Sequence, residues 1–197
     1  MKYAEAITLQ NEVAKRVIAL DDFDKIERIC GVDVAYYGDT AYCSAVVMAG
    51  QAVAESIDSQ TAVTHPYVPG LLMLREAGPV LHTLGMLKSG FDLLLVDGHG
   101  LLHPRKCGLA CYVGVTLGKP TIGIAKSRLC GTVRPDGFVE MDGEILGYAF
   151  SKKLYVSAGH RVSLETAVAV VKELGTEPLR LADANSKMQK RREGLRP

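Results

Sequence analysis

The sequence predicts an α/β fold in which a mixed central sheet, part antiparallel meander and part parallel strands, is flanked by helices. Three observations carry that prediction. Residues 29–37, 41–49 and 51–58 are strand-like runs separated by Gly38-Asp39 and by Gly50, both hairpin signals. Residues 93–96 and 120–125 are uninterrupted apolar runs of the kind a strand buried on both faces shows, with a helical pattern between them. A strand, helix, strand order of this type closes as a parallel, right-handed crossover. The third observation is composition: 48% hydrophobic residues and 20 glycines in 197 residues suit one α/β domain spanning 1–197, large enough to bury a core without disulfides.

Taken in order, residues 3–20 place Ala6, Leu9, Val13, Val17 and Leu20 near helical spacing, which predicts an amphipathic packing helix. After the three-strand meander, Thr64-His65-Pro66-Tyr67-Val68-Pro69-Gly70 reads as a loop whose prolines hold Tyr67 on a rigid turn. A tyrosine held this way stacks on a base or wedges beside one, or else packs back onto the core. Residues 71–88 read as a helix bent or interrupted at Gly78-Pro79, with Glu76 before the break. The strand at 93–96 then delivers Asp97, a helix is predicted over 106–117, and the strand at 120–125 hands over Lys126. Parallel strands bring Asp97 and Lys126 out on one edge of the sheet, where open α/β sheets hold their ligands. Residues 132–141, 145–150 and 154–158 read as short strands around the turns Pro135-Asp136-Gly137 and Asp142-Gly143. Ser163 caps a helix over 164–174, and a last helix over 179–192 carries Asp183 into a basic tail ending at Arg196.

A net charge of +1 supplies no global field toward nucleic acid, so a polyanion must be held by local patches. Candidates are Arg105-Lys106, Lys126 to Arg128, Lys152-Lys153, His160-Arg161 and the tail from Lys187. Five scattered cysteines without a C-x-x-C pair argue against a disulfide framework or a structural zinc site. The N-terminus has no apolar core of signal-peptide length and no run elsewhere reaches membrane-spanning length, so the expectation is a soluble, cytoplasmic monomer with no membrane partner.

The chemistry resides in the acids. Asp97-Gly98 by itself is an ordinary turn. Asp33 among apolar residues and Glu76 on a helix change the reading, because carboxylates converging without cysteine ligands make a hard, oxygen-rich site suited to Mg²⁺, with Mn²⁺ able to substitute. Like charges packed together stay ionised at neutral pH only with a cation among them. Lys126, His99 and His103 add donors for phosphate oxygens or protons. On residues alone this is a Mg²⁺ phosphohydrolase. A nonenzymatic nucleic-acid binder has no use for buried acids, and a hydrolase of small phosphate esters leaves Tyr67 and the basic tail without a role.

The blocks GVDVAYYG, PYVPGLLMLREAGPVL, DLLLVDGHGLLHPRKCGLACYVGV, KPTIGIAKSRLCG and SAGHRVSLETA occur in the order and wording of a known family. From the first helix to the RLAD segment the chain resembles endonuclease V, the deoxyinosine 3′ endonucleases. The resemblance implies an RNase H-like fold and a Mg²⁺-dependent nuclease that cuts the second phosphodiester 3′ to deoxyinosine, leaving a 3′ hydroxyl and a 5′ phosphate. By match to the family motifs, Asp33 and Asp97 would be direct metal ligands, with Glu76 and Asp183 completing the site through water or transient coordination. Tyr67 would be the wedge, His103 and Lys126 would lie near the reacting phosphate, and backbone at Pro66, Pro69, Gly70, Gly98, His99 and Gly100 would line the base pocket. Hypoxanthine pairs weakly, so base flipping costs least there. Inosine-containing DNA is the implied partner, and inosine-containing RNA is the alternative.

Overall fold

The computed structural model describes residues 2–194, so Arg196 of the basic tail lies outside the described residues. The first helix, α1 (Tyr3–Ala14), ends short of Leu20. Its continuation is diverted into a long-range pairing: the Ile18 N–H donates to His160 Nδ1 at 3.2 Å, and the Ile18 carbonyl accepts from the Arg161 N–H at 2.6 Å. Leu20 is 72% exposed, so no apolar face awaited it there.

Three antiparallel strands follow as expected, β1 (Arg28–Tyr37), β2 (Thr40–Ala49) and β3 (Ala52–Ala62), with β3 running past residue 58 in register with β2. Helix α2 (Leu72–Gly85) corrects the expected break, since it passes through Pro79 without interruption. A residue before proline is normally kept out of helical geometry by its own Cβ, and Gly78 has none. Thr83 Oγ1 donates to the Pro79 carbonyl at 2.8 Å. Strand β4 (Leu93–Asp97) leads to α3 (Leu109–Leu117), which begins later than residue 106 because Lys106 has a φ of 48° and cannot start a helix. Strand β5 (Thr121–Ala125) precedes the short strands β6 (Thr132–Val133), β7 (Phe138–Met141), β8 (Glu144–Ser151) and β9 (Leu154–His160). Helix α4 (Leu164–Leu174) is capped by Ser163 Oγ, which accepts from the Thr166 N–H at 3.1 Å. Helix α5 (Glu177–Gly194) starts before residue 179, with Pro178 in its first turn, where a missing N–H costs nothing.

The nine strands form one sheet in the order β3-β2-β1-β4-β5-β9-β8-β7-β6, parallel at β1-β4 and β4-β5 and antiparallel elsewhere. Alternation along β4 explains its apolar run. Leu94 and Val96 join Val32, Val80 and Val113 under α2 and α3, whereas Leu93 and Leu95 join Ile122, Val156, Val170 and Leu179 under α4 and α5. Each such buried side chain contributes roughly 1.5–3 kcal/mol. The five cysteines are free, and Cys107 and Cys111 are buried as small apolar groups. Among the described residues no helix is long and apolar enough to cross a membrane.

Candidate active site at the carboxyl edge of the parallel strands

Sheet register builds the site. Val32 pairs with Val96 and Asp97 with Ile124, so Asp33, Asp97 and the segment holding Lys126 reach one edge together. Helix α5 crosses β1 closely enough to add Asp183, because Gly31 offers no side chain: a Cβ there would stand 2.2 Å from the Leu179 nitrogen. Carboxylate oxygens of Asp33, Asp97 and Asp183 lie within 4.8 Å of one another. Lys126 Nζ donates to Asp97 Oδ2 and, at 2.9 Å, to Asp183 Oδ1, and Lys187 Nζ reaches Asp183 Oδ2 at 2.7 Å. Ser186 Oγ donates to Asp33 Oδ2 at 2.9 Å.

Electrostatics follow from this crowding. Asp33, 5% exposed, has its carboxyl pushed up to about 8, first by burial and then by its hydrogen bond with Asp97 and the charge there. Burial also acts to raise Asp183, but Lys187 and Lys126 outweigh it and hold the group low. Partial burial works against the Lys126 ammonium, and Asp97 and Asp183 overcome it, so the pKa rises. An all-oxygen donor set of three acids fits a hard divalent cation. Glu76 stands apart from the three clustered acids and lines the same cleft. Tyr36 Oη donates to Glu76 Oε1 at 3.2 Å, and burial followed by the Asp97 charge pushes the Glu76 carboxyl up to about 8.

The acids open into a cleft of 240 Å³ whose lining includes Tyr67, Gly70, Gly98, His99, His103 and Lys126. Tyr67 is 62% exposed at its rim and does not pack onto the core. The loop carrying it is pinned at both ends. Arg75 Nη1 donates to the His65 carbonyl at 3.0 Å while its guanidinium lies 4.0 Å from the Tyr36 ring centre. At the other end the Gly70 carbonyl accepts from Gln10 Nε2 at 3.2 Å, from His103 Nε2 at 3.0 Å and from Arg105 Nη2. Gln10 is 1% exposed and also accepts from Arg105 Nε at 2.7 Å. His103 Nδ1 accepts from the Arg105 N–H at 3.2 Å, which assigns the proton to Nε2. Both its nitrogens are thus committed to protein partners. The loop from Gly98 to Gly100 packs tightly: a Cβ on Gly100 would lie 2.0 Å from the Ala158 carbonyl oxygen. The buried His99 Nδ1 makes no hydrogen bond among the described residues, leaving one unspent polar atom in the cleft wall.

His103 is 3% exposed, and burial, then the Arg105 charge, lower its pKa to about 4. A histidine whose folded pKa lies below its ordinary 6.5 contributes stability above that value and loses it as pH falls toward the folded pKa. That window is worth on the order of 3 kcal/mol. The expected result is a melting temperature that drops between about pH 6.5 and 4, less steeply in His103→Asn; equal slopes would remove His103 from the acid response.

Comparison with known proteins places this site in context. The endonuclease V family model matches residues 11–184. The chain belongs to the endonuclease V family. It is 42% identical to the endonuclease V of Roseiflexus castenholzii, over 91% of this chain and 90% of the relative. The crystal structure of endonuclease V from Streptomyces avermitilis superposes with a TM-score of 0.88 at 32% identity, covering 98% of this chain and 95% of that one. The Ciona intestinalis endonuclease V, in complex with a 24mer DNA containing an inosine followed by a ribo-adenosine, superposes with a TM-score of 0.85 at 28% identity, covering 96% and 98%. The chain is therefore a nuclease, and its mixed sheet is the expected RNase H-like arrangement. Within this candidate site, sequence reasoning missed Gln10, Tyr36, Arg105 and Ser186 as supporting groups. Tyr36 and Arg105 stand in blocks that carry the family resemblance, and Gln10 is a polar residue one position after Leu9 on the helix expected only to pack.

Proposed function

We propose that this protein is a Mg²⁺-dependent DNA repair endonuclease that recognises deoxyinosine and hydrolyses the second phosphodiester on its 3′ side, leaving a 3′ hydroxyl and a 5′ phosphate. The observation that carries the reading is the Asp33, Asp97 and Asp183 cluster opening into the same cleft that has Tyr67 at its rim. Asp33 and Asp97 would hold the metal directly, with Glu76 and Asp183 reaching it through water, and Mn²⁺ would substitute. When bound, such an ion polarises the phosphodiester, lowers the pKa of a water and stabilises the departing 3′ oxygen. The chain's residues do the rest. Tyr67, held by a loop pinned at both ends, fills the gap left by the flipped base at low entropic cost. Pro66, Pro69, Gly70, Gly98, His99 and Gly100 contribute loop backbone to the base pocket. Lys126 turns its ammonium from Asp97 and Asp183 toward the reacting phosphate, with His103 fixing the loop beside it. The protein acts as a cytoplasmic monomer.

The test is a labelled duplex with one deoxyinosine, incubated with Mg²⁺, Ca²⁺ or EDTA and read to one nucleotide. The expected product is a nick one nucleotide beyond the inosine's own 3′ phosphate in Mg²⁺ alone, with Ca²⁺ supporting binding without turnover because it tolerates looser oxygen geometry. Rapid turnover in Ca²⁺ or in EDTA would overturn the reading. A second reading, cleavage at inosine in RNA, draws support from the ribo-adenosine in the Ciona intestinalis complex. It predicts faster cutting of a matching inosine RNA.

A further inference from the structure

The basic groups read from the sequence separate once their surroundings are known. Arg105 is spent on Gly70 and Gln10, and Lys106 is paired with Glu144. Arg161 is paired with Asp22 and bound to the Gly118 carbonyl, beside Asp92 and Lys119 at the end of the sheet away from the acids. Lys126 and Lys187 neutralise the acid cluster itself. Arg128, Lys152 and Lys153 differ from these: all are exposed, and none makes an ion pair among the described residues. Lys190 and Arg191 are exposed too but sit on the last turns of α5, on the Tyr37 side of the cluster.

Register fixes where the two neighbouring lysines lie. Ala125 of β5 pairs with Tyr155 of β9, and Leu154 of β9 pairs with Ser151 of β8, so the turn holding Lys152 and Lys153 emerges beside Lys126 on the active edge. The Lys153 N–H donates to Ser151 Oγ at 3.1 Å, which fixes the turn while leaving both ammonium groups to solvent. Three strand spacings of roughly 4.8 Å separate β4, which carries Asp97, from β8. Single-strand phosphates recur about every 3.4 Å along a duplex axis, so the turn stands roughly four nucleotides from a phosphate at Asp97. Arg128 lines the cleft between them.

We infer that Lys152 and Lys153, with Arg128 leading to them, form a backbone-phosphate site that holds one flank of the nucleic acid beyond the cleavage position. The inference rests on the nuclease reading above. The site takes phosphates irrespective of base, so it sets affinity and footprint while Tyr67 and the pocket set selectivity. It also lets a chain with a net charge of only +1 hold a polyanion, because Lys106, Lys126 and Arg161 are paired with acids while this turn is left unpaired among the described residues.

The test is equilibrium binding in Ca²⁺ to inosine-containing and undamaged duplexes over a range of salt, for wild type, Lys152→Gln/Lys153→Gln and a control, Lys25→Gln/Lys119→Gln, that removes two charges at the opposite end. The expected result is a salt slope lower by about 1.8 in the first variant, about 0.9 for each phosphate no longer neutralised, with both duplexes weakened by the same factor. The control keeps the wild-type slope, and the melting temperature of each variant is unchanged. Shortening one flank of the duplex abolishes the difference between wild type and variant, and shortening the other does not. A wild-type slope in the first variant, or an equal reduction in the control, would overturn the inference while wild-type nicking at inosine left the nuclease reading intact. A wild type that neither binds nor nicks would remove both.

Discussion

Asp97→Ala abolishes cleavage, by roughly 10³-fold or more in single-turnover rate, and leaves a folded protein that still binds inosine-containing DNA. The first half follows from position. Asp97 is the last residue of β4, within reach of Asp33, Asp183 and Lys126, and no neighbouring group can replace its oxygens without moving a strand. The second half follows from repulsion. Asp97 is one of the causes that make ionisation of Asp33 and Glu76 unfavourable, so its removal relieves like-charge crowding, and Lys126 keeps Asp183 as a partner. The melting temperature therefore holds or rises. Full retained cleavage would remove Asp97 from the mechanism, and a lost fold would show that the strand end needs its charge.

Tyr67→Ala costs discrimination rather than stability. At 62% exposure the ring gives folding little, so the substitution stays within about 0.5 kcal/mol of wild type in melting experiments. A base-stacking ring is worth about 1–3 kcal/mol, which lowers the preference for inosine over undamaged DNA by roughly 5- to 150-fold. Tyr67→Phe restores most of it, since the stacking is done by the ring. An unchanged preference in Tyr67→Ala would make the side chain ordinary surface.

Much of this molecule was legible because its strongest signals are local. The uninterrupted run before Asp97 reads as a strand buried on both faces, and Leu93 to Val96 alternate between two cores. Ser163 before an amphipathic stretch reads as a cap and is one. The acids were found because a carboxylate beside a buried strand needs an explanation. What escaped depends on distant partners. The end of α1 is decided by a pairing between Ile18 and residues 160–161, for which periodicity carries no signal. Pro79 promised a break that its preceding glycine removes. Tyr36 and Ser186 support Glu76 and Asp33 across 40 and 153 residues of chain, and nothing in the local sequence of either names that partner.

The placement of Asp183 and Ser186 on α5 has a temporal consequence. Asp33 is among the first residues of the sheet to be synthesised, whereas the acid that closes the cluster and the hydroxyl that holds Asp33 both arrive on the final helix. A chain still on the ribosome carries β1 and β4 with their acids but without that helix, so the three-acid cluster closes only after α5 has been made and has docked.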